Sequence, residues 1–380
     1  MQISLRFVLN TRSDEMVSRV CIHELQERLS KAGVHAVKND WDHYENYDVA
    51  IFPGWDHEME KARRQNGAIS VGLADPKQSS ADWVASARTA DFLMVSSLEQ
   101  RDALLRLNRN ILIHYMFPRL PSQERRHRES SEIVVGYHGN RVHLECMKGG
   151  VQLALEELGR HRSVELVMVY NIAANGRATI GLPNPSLVRH RHVQWTPESY
   201  TGVLASVDIG IVPATLPIRD RQAALEATAF SEPEFCYEPF DYLIRYKAST
   251  NPGRILPFAR FGVPVVADAT PSACEFIEDG VSGRLALSAE GWFVALEELA
   301  ASASERARLA SNLRAKVEIA YERQVPRLLQ FCASLPPRQP VVVPGAPKAE
   351  DELQALRHFE KPRGPGLLSR LSRRLRSRRD

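Results

Sequence analysis

The run YKASTNPGR is rich in side chains that can bind a phosphate. Its candidate ligand-binding residues are Lys247, Ser249, Thr250, Asn251 and Arg254. Asparagine is a favoured N-cap and proline suits the first helical position, so a helix is predicted to begin at Asn251 and to end near residue 261. The positive end of this helix and the nearby cations would then face one ligand, an arrangement typical of phosphate binding. The alternative is a capped helix with two solvated basic side chains.

A second basic cluster lies in the segment IVVGYHGNRVHLECMKGG. Its candidate ligand-binding residues are Gly139, Asn140, Arg141 and Lys148. Glycine lets the backbone approach a ligand closely, and the two clusters together would supply four cations to a diphosphate. The glycine spacing is not GxGxxG, and no GxxxxGK[ST] motif is present, so neither a dinucleotide-binding motif nor a P-loop is supported.

Four residues at predicted strand ends have side chains suited to general acid–base chemistry. Asp56 and His57 lie in FPGWDHE, Asp75 lies in GLADP, and His138 precedes the second basic cluster. A carboxylate or imidazole in such a position can take a proton from a reacting hydroxyl group. The alternative for each of the four is a loop hydrogen bond or a helix cap.

Short apolar runs alternate with helical patterns along most of the chain, which indicates parallel sheets covered by helices. Strands are predicted at residues 5–10, 47–54, 68–76, 91–97, 132–140, 164–170, 192–195, 207–214 and 263–268. The expected organisation is a domain over residues 1–118, a linker over 119–131, a second domain over 132–335, a proline-rich linker over 336–366 and a tail over 367–380. Ligands of such sheets bind at the carboxyl ends of the strands, so a cleft between the two domains is the expected site.

The composition of the 380-residue chain is that of a soluble globular protein. No apolar run approaches the roughly 18 residues of a membrane-spanning helix, and the N-terminus lacks the apolar region of a signal peptide. Five dispersed cysteines without a CxxC motif indicate reduced thiols. These features together favour a cytoplasmic location.

The C-terminal tail is strongly basic. From Lys361 onward there are eight Lys and Arg residues and one acid, so the formal charge of +3 leaves −4 on residues 1–360. Leu367, Leu371 and Leu375 are four residues apart among arginines, a pattern that suits the surface of an anionic membrane. The alternative is a disordered basic tail. The tail contains no aromatic residue, so nucleic-acid binding is not expected.

Residues 132–321 resemble a glycosyltransferase of the GT-B fold, similar to the retaining family 4, also called glycosyl transferases group 1. The resemblance is carried by VVGYHGN…KGG, by VLASVDIGIVPA and by GRILPFARFGVPVVADATPSACEFIEDGVSGRLAL. The first half of the chain matches only in its pattern of strands and loops. The resemblance implies two Rossmann-like domains facing a cleft, with a nucleotide-sugar donor on the second domain and the acceptor largely on the first.

The resemblance also implies roles for particular residues. Arg141 and Lys148 match the basic pair that contacts the donor diphosphate, and Trp195 and Thr196 fall where the base lies. The family's two glutamates, eight residues apart, are absent, because Ser249 and the proline eight residues later occupy those positions. The chain is therefore a divergent relative of this pattern.

The expected activity is transfer of a sugar from a nucleotide-sugar to a glycan or lipid-linked acceptor of a bacterial envelope, with retention favoured over inversion. No cofactor is expected, and the absence of a DxD triplet favours transfer without a metal ion. One alternative is a GT-B nucleotide-sugar epimerase, although no carboxylate set for that reaction can be placed. The other is a catalytically inactive binding or scaffold subunit, for which the missing glutamates argue.

Overall fold

The computed structural model describes residues 4–14, 18–66, 69–76, 80–148, 150–178, 187–217, 244–246 and 250–335. Lys247, Ser249 and the predicted proline-rich linker and basic tail lie outside the described residues. Among the described residues, no helix is both long enough and apolar enough to cross a membrane.

The N-terminal domain is a parallel sheet of six strands with the order β2-β1-β3-β4-β5-β6. The strands are β1 (Phe7–Leu9), β2 (Ala36–Lys38), β3 (Val49–Pro53), β4 (Ser70–Ala74), β5 (Phe92–Val95) and β6 (Ile111–Ile113). Its helices are α1 (Leu25–Lys31), α2 (Met59–Gln65), α3 (Ala81–Thr89) and α4 (Leu98–Leu104). A π-helical turn, Arg19–Glu24, leads into α1, and a short 3₁₀ turn covers Tyr44–Asn46.

The C-terminal domain is a second parallel sheet of six strands with the order β14-β13-β10-β7-β8-β9. Its strands are β7 (Glu132–His138), β8 (Ser163–Tyr170), β9 (Val188–Gln194), β10 (Ile209–Val212), β13 (Val265–Asp268) and β14 (Arg284–Ala286). A separate antiparallel pair is formed by β11 (Thr215–Pro217) and β12 (Ile244–Tyr246).

Eight helices of the described chain belong to this second half. They are α5 (Arg141–Leu144), α6 (Gly150–His161), α7 (Ile172–Asn175), α8 (Pro197–Ser206), α9 (Ile255–Arg260), α10 (Pro271–Cys274), α11 (Ala289–Ala301) and α12 (Ala303–Ser334). Short 3₁₀ turns cover Glu145–Met147 and Pro252–Arg254. Helices α6 and α11 pack on one face of the sheet, and α8, α9 and α12 pack on the other, so the central strands are buried on both faces.

The predicted α/β architecture with two Rossmann-like domains is confirmed. The sequence pattern missed three strands of the two large sheets, β2, β6 and β14. Each of them has three residues and lies at a sheet edge. An edge strand of three residues is too short to show the apolar run of a buried strand, which explains why the pattern did not reveal it.

Helix α12 connects the two cores. Leu309 and Leu313 in its first half pack within the C-terminal domain, whereas Val325, Leu328 and Cys332 pack with β1 and α1 of the N-terminal domain. The division expected from the sequence assigns all of this helix to residues 132–335. The observed packing lets α12 hold the two sheets together.

The segment between the domains is irregular but is anchored to the C-terminal domain. The buried Arg306 guanidinium donates to the carbonyls of Leu299 and Arg128, at 2.5 and 2.6 Å. Arg125 donates to the carbonyl of Ala205 at the end of α8 and forms an ion pair with Asp208. These bonds satisfy carbonyls at two helix ends while they fix the path of the linker.

Candidate functional site

The two predicted basic clusters meet at the carboxyl end of β7. Gly139 follows this strand with a φ of +140°, and a Cβ atom at this position would lie 2.9 Å from Cδ of Arg254. The same Cβ would lie 3.0 Å from the hydroxyl of Tyr137. Glycine at position 139 is therefore required both by its backbone conformation and by the close approach of the arginine.

Hydrogen bonds hold Arg254 at its guanidinium and at its backbone. Nη1 of Arg254 donates to the carbonyl of Pro213, which follows β10, at 2.7 Å. The carbonyl of Arg254 accepts from Nε2 of His138 at 2.8 Å. Arg254 is thereby placed between the loops that follow β7 and β10, which are neighbours in the sheet.

His138 is buried, and its ring makes edge contacts with Tyr200 and Phe258, at centroid distances of 5.3 and 4.8 Å. Burial lowers its pKa to about 4, so the imidazole is neutral near pH 7. Because the partner of Nε2 is a carbonyl, Nε2 must carry the proton. The structure thus gives His138 a positioning contact to the backbone of Arg254, and its catalytic role stays a prediction.

The predicted helix start at Asn251 is confirmed, since Oδ1 of this residue accepts from the amide of Gly253 at 3.0 Å. The helix is short, however, and consists of one 3₁₀ turn followed by the six residues of α9. Few aligned peptide dipoles contribute at its N-terminus, so most of the positive charge at this place must come from side chains.

Arg141 and Lys148 lie on the same connection between β7 and α6. A guanidinium nitrogen of Arg141 donates to the carbonyl of Asn175 in the connection after β8. Asn140 accepts, through its carbonyl, from the hydroxyl of Tyr137 at 2.6 Å. Lys148 is exposed and lies two residues before the start of α6. The structure therefore brings Arg254 against Gly139, which is followed in the chain by Asn140 and Arg141, and Lys148 lies seven residues beyond Arg141.

Trp195 and Thr196 follow β9 at the same edge of the sheet. Trp195 is partly buried against Tyr200, with ring centroids 6.4 Å apart. Thr196 caps α8, because its hydroxyl accepts from the amide of Ser199 at 3.1 Å and its own amide donates to the Ser199 hydroxyl at 2.8 Å. The hydroxyl of Thr196 is thus used within the domain, and contact of either residue with a base stays a prediction.

A cavity of about 460 Å³ opens beside these loops, between the N-terminal ends of α6 and α11. Gly150, Thr215, Ser288 and Asp268 are among the residues that line it. Asp268 is buried and accepts from Nε1 of Trp292 at 2.9 Å, and burial raises the pKa of its carboxyl group. The volume is in the range of small-molecule sites.

In the N-terminal domain, Asp56 is engaged by Arg12. Nη1 of Arg12 donates to Asp56 Oδ1 at 2.9 Å, and the guanidinium lies 3.8 Å from the ring centroid of Trp41. His57 is half-buried, which lowers its pKa, and it has no hydrogen-bond partner among the described residues. Its neighbour Trp55 is 36% exposed.

Asp75 follows β4 and is buried, with a φ of +48°. Aspartate is one of the few residue types other than glycine that adopts this left-handed conformation readily. Asp56, His57 and Asp75 therefore all lie at the carboxyl edge of the N-terminal sheet, as expected, but only His57 offers a side chain that is not already engaged or buried.

Sequence reasoning missed a group of side chains that crosses between the domains. Glu99 in the first turn of α4 accepts from the hydroxyl of Thr250 at 2.7 Å, and the hydroxyl of Ser97 donates to the carbonyl of Thr250 at 2.6 Å. A sequence signal existed for the helix cap at Ser97 but not for the contact with the other domain. Within the described ranges, no group of three or more His, Cys, Asp or Glu side chains is arranged to hold a metal ion.

Solved structures resemble most of the chain, across both domains. Sucrose-phosphate synthase from Thermosynechococcus elongatus has a TM-score of 0.54, covering 87% of this chain and 99% of that chain at 14% sequence identity. HepE from Anabaena in complex with UDP has a TM-score of 0.52, covering 87% of this chain and 100% of that chain, also at 14% identity. No protein-family model and no curated protein matches the sequence. The structural likeness establishes that the chain has the GT-B fold.

Proposed function

We propose that this protein is a glycosyltransferase that moves a sugar from a nucleotide-sugar to a glycan or lipid-linked acceptor. The observation that carries the proposal is the contact between Gly139 and Arg254, which brings two basic loops together at the carboxyl ends of neighbouring strands. In sheets of this kind, ligands bind at that edge. The presence of UDP in the HepE structure supports a nucleotide as the ligand of this fold.

The proposed donor site binds the diphosphate between Arg141, Lys148 and Arg254. In the transfer, the bond between the anomeric carbon and the diphosphate oxygen breaks, and negative charge grows on the leaving diphosphate. Fixed cations aimed at that charge lower the barrier, because they are already oriented before the reaction begins. Backbone amides at Gly139 and Asn140 are proposed to add hydrogen bonds to the same group.

The remaining donor contacts are proposed from their placement. Trp195 and Thr196 are proposed to lie beside the base, at the carboxyl end of β9. Thr250 and Asn251 hold the start of the segment that carries Arg254. Lys247 and Ser249, which precede that segment in the sequence, are proposed to contact the sugar or the diphosphate.

The acceptor is proposed to lie on the N-terminal domain near His57, and the transfer is proposed to retain the anomeric configuration. An inverting reaction needs a general base on the acceptor hydroxyl. Asp56 is paired with Arg12, Asp75 is buried and His138 donates to a carbonyl, so three of the four candidate bases are engaged or buried. In the retaining route the acceptor proton passes to the leaving diphosphate oxygen, and no protein base is required.

Transfer is proposed to proceed without a metal ion, since protein cations would neutralise the diphosphate. The protein is proposed to act in the cytoplasm, with the basic residues 367–380 holding it on the inner face of an anionic membrane. Each lysine or arginine near such a surface contributes up to about 1 kcal/mol. Co-sedimentation with vesicles that contain phosphatidylglycerol tests this part, with a chain truncated after residue 335 as the comparison.

The activity is tested with a panel of nucleotide-sugars incubated with and without saccharide acceptors, while release of the nucleoside diphosphate is followed. The variants Arg254→Ala and Arg141→Ala are compared with Arg308→Ala, which removes an exposed arginine paired with Glu305 on α12. We expect acceptor-dependent release that survives in the Arg308 variant and in EDTA, and that falls at least tenfold in the other two variants. The anomeric configuration of the product, measured by NMR, tests retention.

The two alternatives give different results in the same assay. A nucleotide-sugar epimerase would convert its donor in the absence of any acceptor. An inactive binding subunit would bind a nucleotide without any release of diphosphate. Either result would overturn the proposed transferase activity.

A further inference from the structure

The side chain of Glu99 makes two hydrogen bonds across the boundary between the two domains. Oε1 of Glu99, on α4 of the N-terminal domain, accepts from the hydroxyl of Thr250 at 2.7 Å and from the amide of Ser272 at 2.9 Å. Both partners belong to the C-terminal domain: Thr250 precedes the helix cap of the Arg254 segment, and Ser272 lies in α10. One oxygen atom thus receives two hydrogen bonds from the opposite domain.

Ser97 adds a third hydrogen bond across the same boundary. Its hydroxyl donates to the carbonyl of Thr250 at 2.6 Å, while it also caps α4 by accepting from the amide of Gln100 at 3.2 Å. The backbone and the side chain of Thr250 are therefore both held by the N-terminal domain. Because its backbone and its side chain are both held, Thr250 has little freedom to move independently of the N-terminal domain.

The three residues of this contact are buried. Glu99 is 9% exposed, Thr250 is 5% exposed and Ser97 is not exposed at all. Oε2 of Glu99 is buried and has no hydrogen-bond partner within the described part of the chain. Burying a carboxyl group is costly, and here two hydrogen bonds, both to Oε1, offset only part of the cost. If the domains separated, Oε2 would regain water.

The contact of Glu99 with Thr250 is adjacent in the chain to the proposed diphosphate site. Thr250 is followed by Asn251, the cap of the segment that carries Arg254, and the side chain of Arg254 lies against Gly139. Resting on the proposed function, we propose that Glu99 is a positioning residue that couples contact between the two domains to the geometry of the diphosphate-binding loop. Glu99 acts through Thr250 and does not itself touch the donor.

The experiment has one arm that needs no ligand. Hydrogen exchange is measured on the full-length protein for wild type, Glu99→Ala, Thr250→Val and the double variant. Glu60→Gln serves as the control, because Glu60 is an exposed glutamate on α2 of the same domain. We expect the amides of Gly253 and Ser272 to exchange at least tenfold faster in Glu99→Ala than in wild type. The exchange rates of amides in β3 and β8 should not change, and the control variant should exchange like wild type throughout.

The second arm measures the Kd of UDP, GDP and ADP by calorimetry for the same variants. We expect the Kd of the diphosphate that binds wild type to rise about tenfold in each single variant, as the loss of a hydrogen bond to a charged group implies. Thr250→Val removes one of the two hydrogen bonds that Glu99→Ala removes, so the double variant is expected to match Glu99→Ala. A role limited to stability would lower the Tm and leave the Kd of the folded protein unchanged.

The outcomes separate this inference from the proposed function. Unchanged exchange at Gly253 and Ser272 in the folded Glu99→Ala variant overturns the coupling, whatever the ligand results are. Additive effects on Kd in the double variant overturn it as well. If no nucleotide binds wild type, the proposed function fails, and the exchange arm alone decides whether Glu99 orders the loop. Should Glu99→Ala not fold, Thr250→Val provides the test at the amide of Gly253, since it removes the bond between Thr250 and Glu99 and leaves that of Ser272.

Discussion

Arg254 and Gly139 touch across the crevice of the C-terminal domain, where a Cβ atom at position 139 would come within 2.9 Å of the arginine Cδ. This contact joins the loop after β7 to the segment before α9. The two residues are far apart in the sequence, and they meet because the order of strands in the sheet brings the loop after β7 close to the segment before α9. The close approach makes a glycine at position 139 a requirement of the site.

Gly139→Ala is therefore expected to disturb both the fold and the site. The φ of +140° strains every residue other than glycine, and the added methyl group pushes Arg254 from its place. We expect a loss of about 1–3 kcal/mol in the free energy of unfolding, measured by urea denaturation, and weaker diphosphate binding.

Gly202→Ala is the matched control for this change. Gly202 lies in α8, and nothing lies within 4 Å of a Cβ built there. Alanine is favoured over glycine inside a helix by about 0.5–1 kcal/mol, so this variant should be more stable than wild type and bind diphosphate equally well. Equal stability of the two alanine variants would contradict the steric role of position 139.

Most elements of the fold could be predicted from the sequence, because buried strands and helix caps each leave a local pattern of residues. Strands such as β7 and β10 are buried on both faces, so they appear as apolar runs, and caps such as Ser97 and Asn251 mark helix starts. The edge strand β14 lacks such a run. The contact of Glu99 with Thr250 left no local signal, because it depends on how two domains pack and not on spacing along the chain.

The buried imidazole of His138 is expected to make stability depend on pH. The pKa of His138 is lowered from 6.5 to about 4 by burial, so between these values the unfolded chain binds more protons than the folded protein. Stability should therefore fall as the pH drops from about 6.5 to about 4, by at most roughly 3 kcal/mol from this residue.

His138→Phe keeps the aromatic contacts with Tyr200 and Phe258 but removes the hydrogen bond to the carbonyl of Arg254. Urea denaturation at pH 7 and at pH 4.5 should show a smaller loss on acidification in this variant than in wild type. Diphosphate binding at pH 7 should weaken about tenfold, because the backbone of Arg254 loses its anchor. An unchanged pH dependence would argue against a buried neutral imidazole.

Glu24 is expected to make stability depend on pH in the direction opposite to that of His138. Burial in the π-helical turn before α1 raises its pKa from 4.5 to about 7, so in this range the folded protein binds more protons than the unfolded chain. Stability should fall as the pH rises from about 4.5 to about 7, with a full contribution near 3 kcal/mol. Glu24→Gln should remove this loss and be more stable than wild type at pH 8.

The measurement for Glu24 is the free energy of unfolding of wild type and Glu24→Gln at pH 5 and at pH 8. The difference between the two proteins should be small at pH 5 and large at pH 8. A difference that does not depend on pH would mean that the carboxyl group of Glu24 is ionised in the folded protein throughout this range.

The most direct test of the account is calorimetric titration of wild type, Arg254→Gln and the control Arg308→Ala with UDP, GDP, ADP and the matching monophosphates. We predict that one nucleoside diphosphate binds wild type and the control alike. Its affinity should fall at least tenfold in Arg254→Gln. The weaker affinity of the monophosphate should change much less, because Arg254 is proposed to contact the phosphate group that the monophosphate lacks. Equal diphosphate affinity in wild type and Arg254→Gln, or no binding to folded wild type, would contradict a diphosphate site at the meeting point of Gly139 and Arg254.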